Sequence, residues 1–307
     1  MPRTILVPLD GSLLAERALD YATALTMPAG ARLVMVRVEI AYSLADIPDD
    51  RARTAAVTRA EQYLAELCSR LTGRGFVISS EVRCAGHAAE AIVEAAADHA
   101  ADMIVMASHG RTGPGHLLFG SVAEGVVAHS RVPVLVERAW QPTQRELLIA
   151  GHPRLLVPLD GSTQAEGALE VATELARELD GEVVLLAVEV PNDVDSAEQD
   201  VAEHFDAAVP EPQFDADDYL ARVEERQRAA SPNIPVHHQV RRGQPAEQIV
   251  RTATEIGAAL VVMTTHGRTG VQRLIAGSVA GRVIEHGQEP VVLIGPAALA
   301  ARDDPVS

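Results

Sequence analysis

The chain has 307 residues, of which 43 are Asp or Glu and 26 are Arg, so its formal net charge is −17 at pH 7. Such an excess of negative charge opposes the broad electrostatic attraction on which DNA, RNA and anionic lipid surfaces depend. None of the basic residues is lysine, which excludes a P-loop lysine, a Schiff-base lysine and a lysine general base.

The first half has the pattern of strands alternating with helices. The apolar run at 4–10 has strand length, and Ser12 after it can cap a helix with apolar residues at helical spacing. Further strands are predicted at 32–40, 76–83, 103–108 and 132–137. Helices are predicted to end near Leu71, to cover 88–99 and to begin near Ser121.

Two short words are written twice in the chain. The word LVPLDGS occupies 6–12 and 156–162, and the word HGRTG occupies 109–113 and 266–270. The second half therefore repeats the design of the first. Its strands are predicted at 155–160, 182–190, 236–242, 259–265 and 290–295.

The repeats align with one change of register. Asp10 aligns with Asp160 at an offset of 150 residues, whereas Gly120 aligns with Gly277 at an offset of 157. The second half thus carries a seven-residue insertion between its second and third strands. The predicted organisation is a first domain at 1–140, a linker at 141–152, a second domain at 153–297 and a disordered tail at 298–307.

Apolar residues at both alternating positions of these strands indicate a parallel sheet with helices on both faces. The sequence therefore predicts an α/β protein of two tandem, doubly wound parallel-sheet domains. In such sheets ligands bind beyond the carboxyl ends of the strands, where the strand order reverses. Both repeated words lie at those ends.

The segment 191–220 contains ten acidic residues, three prolines and no basic residue other than histidine. This composition is typical of a solvated or mobile loop, here leading into a helix. A docking surface for a basic protein partner is the alternative interpretation.

Asp10 and Asp160 end the first strand of each half. A carboxylate there can accept hydrogen bonds from a ribose or contact a metal ion through water. It can equally form an Asx turn that starts the next helix, helped by Gly11 and Gly161.

A Gly-rich loop follows the fourth strand of each half, at 107–121 and 264–278. Backbone N–H groups of such a loop, and those of the helix that begins after it, form an anion site without a lysine. Ser121 and Ser278 can donate a hydroxyl to a phosphate or cap their helices. Arg111 in the first loop, and Arg268 in the second, can approach a phosphate or remain solvated.

These motifs resemble those of the universal stress protein family in its tandem form, and the resemblance covers nearly all of both halves. The family's nucleotide-binding members carry G-x2-G-x9-G-[ST] after the fourth strand. The resemblance implies the strand order 3-2-1-4-5 and an ATP site in each half, with Mg²⁺ or Mn²⁺ left open as companions of the nucleotide. The last two glycines and the hydroxyl of the motif are matched by Gly110, Gly120 and Ser121, and again by Gly267, Gly277 and Ser278.

The resemblance also implies roles for individual residues. Asp10 and Asp160 would contact the ribose, Val38 and Val188 the adenine, and the residues after the two serines would lie beside the phosphates. The expected nucleotide-binding residues are Pro8, Asp10, Val38, Ala107, Gly110, Arg111, Gly120, Ser121, Val122, Pro158, Asp160, Val188, Thr264, Gly267, Arg268, Gly277, Ser278 and Val279.

The sequence departs from the motif at its first glycine, which is Ala107 in one half and Thr264 in the other. Alanine adds a methyl group, whereas threonine is larger and β-branched, so the second site is the more doubtful one. No catalytic residue is expected, because His109 and His266 lack a partner at recognisable spacing. The leading hypothesis is a regulatory ATP-binding protein of the stress response; the alternatives are a slow ATPase or phosphotransfer enzyme, and an interaction module that has lost nucleotide binding.

Cellular location and assembly are predicted from less specific features of the sequence. Cys68 and Cys84 fit neither a disulfide framework nor a zinc site, and no secretion signal is visible, so a cytoplasmic location without a membrane or nucleic-acid partner is expected. The resemblance implies that the fifth strands, near 132–137 and 290–295, pair the two halves as an internal pseudo-dimer. A further homodimer and an unidentified protein partner are left open.

Overall fold

The computed structural model describes residues 3–26, 30–40, 50–108, 120–138, 146, 148, 151–191, 215–265 and 278–303, with the backbone alone at 50–53, 278 and 303. Strands alternate with helices along both halves, as the sequence predicts. The elements of the first half are β1 (Thr4–Pro8), α1 (Leu13–Glu16), α2 (Ala18–Leu25), β2 (Arg32–Ile40), α3 (Asp50–Leu71), β3 (Val77–Ala85), α4 (Ala88–Asp98), β4 (Met103–Ala107), α5 (Ser121–His129) and β5 (Val134–Glu137). Those of the second half are β6 (Arg154–Pro158), α6 (Thr163–Leu179), β7 (Glu182–Glu189), α7 (Ala216–Ala230), β8 (Val236–Arg242), α8 (Pro245–Ile256), β9 (Leu260–Thr264), α9 (Ser278–His286), β10 (Val291–Ile294) and α10 (Pro296–Asp303).

The ten strands form one sheet in the order β3-β2-β1-β4-β5-β10-β9-β6-β7-β8. Each half contributes five parallel strands, and the order 3-2-1-4-5 predicted for them is confirmed. The halves meet where β5 lies antiparallel to β10, with Val136 opposite Val291 and Val134 opposite Leu293. We call this contact the seam.

The central strands are buried on both faces because both alternating positions carry apolar side chains. In β1, Ile5, Leu6 and Val7 are all fully buried. One core lies beneath α1, α2, α3, α6 and α7, and the other lies beneath α4, α5, α8 and α9. Two-sided burial of this kind requires the near-continuous apolar strands from which the parallel sheet was predicted.

Among the described residues, contacts other than strand pairing also join the halves. Arg3 Nη2 lies 3.0 Å from Glu178 Oε1, and Arg138 Nη1 donates to the carbonyl oxygen of Gly287 at 2.6 Å. Gly295, directly after β10, lies so close to α5 that a Cβ built on it would be 2.1 Å from the carbonyl oxygen of Val127. The seam is therefore a packed contact, with backbone against backbone at one point.

The expected disorder of the tail is wrong for residues 298–303, which belong to α10. Ala298 is fully buried, and Arg302 forms ion pairs with Glu170 and Glu174 of α6 at 2.9 and 3.2 Å. The charged residues and the proline at the end of the chain suggested a frayed tail. Docking of α10 on α6 orders its first part instead. Residues 304–307 lie outside the described residues.

Two other segments are described in part. In the predicted linker, Glu146 and Leu148 are helical and Leu148 is 3% exposed, as a short packing segment would require. The helix expected after the acidic segment is α7, which begins with Asp215 as its N-cap. Within the acidic segment at 191–220, residues 192–214 lie outside the described residues. Of the helices described, none is both long and apolar enough for a bilayer.

Candidate functional site

Asp10 and Asp160 each form an Asx turn at the carboxyl end of the first strand of their half. Asp10 Oδ1 accepts from the backbone N–H of Ser12 at 2.9 Å, and Asp160 Oδ1 accepts from that of Ser162 at 3.0 Å. Gly11, which lies between Asp10 and Ser12, has a positive φ of 84°, and a side chain would be strained in that conformation. Each serine then caps the following helix. Both aspartates therefore have the structural role of starting the next helix through an Asx turn, and this turn uses one oxygen of each carboxylate.

The end of β4 brings together the two ends of the first Gly-rich loop. Ser108 donates its N–H to the carbonyl oxygen of Glu137 on β5 at 2.8 Å, and its own carbonyl accepts from the N–H of Gly120 at 3.1 Å. Ala107, where the family motif has glycine, is 8% exposed. Gly110 and Arg111, also expected at this site, lie outside the described residues.

Helix α5 begins directly after this closure without a side-chain cap. Its N-cap is Gly120, in extended conformation with φ −67° and ψ 139°. Ser121 is exposed and Val122 is 38% exposed. The first N–H to bond within the helix is that of Glu124, which donates to the Gly120 carbonyl at 2.9 Å. The N–H groups of the first turn thus have no acceptor within the helix.

The second half repeats the part of this geometry that is described. Thr265 donates its N–H to the carbonyl oxygen of Ile294 at 3.1 Å, which matches the bond from Ser108 to Glu137. Thr264 is 7% exposed. Helix α9 begins at Ser278, and Val279 is half-buried. Gly267, Arg268 and Gly277 lie outside the described residues, as do His109 and His266.

The remaining predicted residues lie at the same edge of the sheet within each half. Pro8 and Pro158 end the first strands and are half-buried. Val38 and Val188, near the ends of the second strands, are half-buried and pack against the core beneath α4, α5, α8 and α9. Because β1 lies between β2 and β4, the sheet order reverses beside Asp10 and Asp160, where doubly wound sheets bind ligands.

The universal stress protein family model matches residues 1–138 and again residues 152–295. The chain belongs to the universal stress protein family. Two copies of the domain in one chain also confirm the tandem form. A universal stress protein of Mycobacterium tuberculosis is 32% identical over 196 residues, which are 63% of this chain and 61% of the relative. The match thus spans less than two thirds of the length of the Mycobacterium tuberculosis and Mycobacterium bovis relatives.

Other relatives match a single domain or the whole fold. A universal stress protein of Thermus aquaticus is 36% identical over 145 residues, covering 45% of this chain and 100% of the relative. The crystal structure of a universal stress protein from Archaeoglobus fulgidus superposes with a TM-score of 0.72 at 23% identity, covering 95% of this chain and 98% of that one. The second comparison shows that the tandem fold is shared.

The two universal stress protein domains differ at a buried ion pair that sequence reasoning did not find. In the first domain Arg17 Nε lies 2.7 Å from Glu137 Oε1, and the Glu137 side chain is 2% exposed. Burial raises the pKa of Glu137 to about 7, while Arg17 opposes that rise and Asp20 adds to it. In the second domain, Gly167 aligns with Arg17 at an offset of 150 residues, and Ile294 aligns with Glu137 at an offset of 157.

Neither domain places its histidines as a metal pair where it is described. His237 and His238 are neighbours on β8, and the sequence predicts that they point to opposite faces. His237 Nε2 lies 3.8 Å from Glu182, whereas His238 Nδ1 contacts Glu224. Over the described residues of both domains, no group of three His, Cys, Asp or Glu side chains is arranged to hold a metal ion.

Proposed function

We propose that this universal stress protein is a cytoplasmic ATP-binding regulator, with one nucleotide site at the carboxyl edge of each domain. The observation that carries the proposal is the start of α5. Gly120 offers no side chain to cap the helix, and Ser121 and Val122 are exposed beside it. An uncapped helix start presents N–H donors and the positive end of the helix dipole, which together suit a phosphate.

The other groups of the site fit a nucleoside at the same edge. Asp10 emerges from β1, which is paired with β4, so its carboxylate and the start of α5 follow neighbouring strands. Its Oδ1 is held by the Asx turn, which fixes the direction of the carboxylate and supports a role in holding a ribose. Val38, half-buried at the end of β2, offers an apolar surface for a base. When bound, ATP would change the surface that the protein presents to partners.

Substitution of Ser121 separates phosphate binding from a purely structural helix start. Asp at the first position of a helix favours the fold through the dipole, but its charge repels a phosphate. We expect Ser121→Asp to keep or raise the unfolding temperature and to weaken ATP binding at the first site at least about tenfold, which is about 1.4 kcal/mol. The neutral control Ser121→Asn should bind nearly as the parent does.

Isothermal titration calorimetry with Mg-ATP, run on the full chain and both variants, measures these affinities. Ser278→Asp and Ser278→Asn provide the same pair for the second site, where Thr264 is expected to weaken binding. The absence of any heat or thermal shift at millimolar ATP would contradict nucleotide binding and favour an interaction module. Accumulation of ADP during the titration would favour the slow ATPase.

A further inference from the structure

Glu137 is a buried carboxyl group, and in the described part of the chain only one of its two side-chain oxygens accepts a hydrogen bond. Its Oε1 accepts from Arg17 Nε at 2.7 Å. Its Oε2 is buried and has no hydrogen-bond partner in the described part of the chain. A carboxylate with one oxygen left unsatisfied is costly to bury in its charged form.

The pair connects the two sides of the proposed first site. On one side, Arg17 lies between α1 and α2, directly after the helix that the Asp10 turn starts. On the other side, the Glu137 carbonyl accepts from Ser108, whose carbonyl accepts from Gly120. Two backbone hydrogen bonds therefore join Glu137 to the start of α5, and a shift of its backbone would act on that start through them.

The second domain has Gly167 and Ile294 at the positions of this pair. Ile294, in the position of Glu137, is fully buried. Gly167, in the position of Arg17, lies against α10, since a Cβ built on it would be 2.3 Å from Leu299 Cδ2. Neither of these two aligned residues is titratable, so among the described residues the support given by Arg17 and Glu137 has no charged counterpart here.

The charged groups that face Glu137 come from one side. Arg17 and Asp20 lie on the segment that spans α1 and α2, and they have opposite effects on its charge. From the neighbouring strands, β4 presents Ala107 opposite Glu137. Across the seam, the carboxylate of Glu289 accepts from the hydroxyl of Thr254 on α8 at 3.1 Å. Arg17 is therefore the cation on which an ionised Glu137 depends.

The direction of the pH dependence follows from burial. The pKa of Glu137 is raised from 4.5 to about 7, so the folded state holds a proton that the unfolded chain releases between these values. The stabilisation is complete below about pH 4.5 and is lost as the pH rises through about 7. Above neutrality the carboxyl group is charged, and a rearrangement that hydrates Oε2 becomes favourable.

We propose that Arg17 and Glu137 are positioning residues for the first nucleotide site, and that their proton equilibrium lowers its ATP affinity as the pH rises through neutrality. The inference rests on the proposed ATP site. The second site, supported by Gly167 and Ile294, does not share this dependence.

Glu137→Gln tests the proposal because it fixes the neutral form at every pH. In the Ser278→Asp background, which weakens the second site, we expect ATP affinity at the first site to fall about tenfold from pH 6 to pH 8 with Glu137 in place, beyond any change in the Glu137→Gln variant. Comparison at equal pH removes the titration of ATP itself. Arg17→Leu combined with Glu137→Ile, which replaces the pair by two apolar side chains, should also lack this dependence. The second site, read in the Ser121→Asp background, should show the same pH profile with and without Glu137→Gln.

Thermal unfolding without nucleotide gives a readout that does not depend on ATP binding. The parent should lose stability relative to Glu137→Gln between pH 6 and pH 8. Equal pH profiles of affinity in the parent and in Glu137→Gln would overturn the positioning role. If no ATP binds at any pH, the proposed function fails. A loss of stability seen in the parent and not in Glu137→Gln would then still support the proton equilibrium of the pair. If that loss is absent, the proton equilibrium is overturned as well.

Discussion

At the scale of single residues, the Asp10 carboxylate has a structural task before any ligand arrives. Its Oδ1 orients the N–H of Ser12, whose hydroxyl in turn caps α1 through Ala15. Loss of this carboxylate therefore affects the fold as well as any bound ribose. A single alanine substitution cannot distinguish the two effects.

The pair of variants Asp10→Asn and Asp10→Ala does distinguish them. Asparagine retains an oxygen for the Asx turn, so we expect Asp10→Asn to change the free energy of unfolding little while it weakens ATP binding. Asp10→Ala should weaken binding and also destabilise the fold by about 1 kcal/mol. Urea unfolding and calorimetry measure the two quantities. Unchanged ATP affinity in both variants would restrict Asp10 to its turn.

The repeated words located these turn residues from sequence alone, whereas the pair of Arg17 and Glu137 escaped notice. The two residues are 120 positions apart, and neither lies in a repeated word. Charged residues at such positions look solvated until the fold brings them together. The one available signal was an asymmetry, because the aligned positions of the second half hold Gly167 and Ile294.

Gly120 shows another limit of sequence reasoning. A repeated glycine suggests a need for positive φ, but Gly120 has φ −67°, which any residue adopts. Space beside the proposed phosphate is the reason that agrees with this conformation. By contrast, Gly11 and Gly161 have φ of 84° and 85°, so backbone freedom explains those two repeats.

At the scale of elements, the two helices after the Gly-rich loops contain glycines of opposite character. Among the described residues, a Cβ built on Gly281 of α9 meets no atom of another element within 4 Å, whereas one built on Gly125 of α5 would lie 2.7 Å from the Cβ of Ala89. We expect Gly281→Ala to stabilise the protein by about 0.5–1 kcal/mol, because glycine is a poor helix former. The matched change Gly125→Ala should destabilise it.

Chemical denaturation of the two variants beside the parent decides this prediction. A loss of stability in Gly281→Ala would show that α9 is constrained by parts of the chain other than those that contact it here. Equal effects of the two changes would mean that helix propensity outweighs the contact between α5 and α4.

Strands were easier to predict than the ends of helices. Apolar runs of strand length indicated ten strands, and the sheet contains them in the expected order. The helix α10 was missed because its order depends on docking: Ala298 is buried and Arg302 pairs with α6. A short segment rich in alanine gives no such sign until its partner surface is known.

At the scale of the whole molecule, the seam depends on the absence of a side chain at Gly295. Its Cβ position is 2.1 Å from a backbone oxygen of Val127, and a backbone atom cannot rotate away. We expect Gly295→Ala to destabilise the full chain by about 1–3 kcal/mol, as overpacking does. Gly167→Ala is the control, because its clash is with Leu299 Cδ2, at the end of a flexible side chain, and should cost less.

Thermal unfolding of these two variants, with limited proteolysis between the domains, tests the seam. We expect the domains of Gly295→Ala to separate more readily and to be cleaved faster. A stability equal to that of the parent would show that β5 and β10 do not pack in solution as they do here.

The antiparallel direction of the seam also determines what the molecule can connect. Because the strands of the two domains run in opposite senses across it, their carboxyl ends open at opposite edges of the sheet. A partner that recognises a nucleotide-loaded edge would find one such edge on each domain, at opposite edges of the sheet. The molecule would then be bivalent, joining two partner molecules into a 2:1 complex and linking multivalent partners into larger networks.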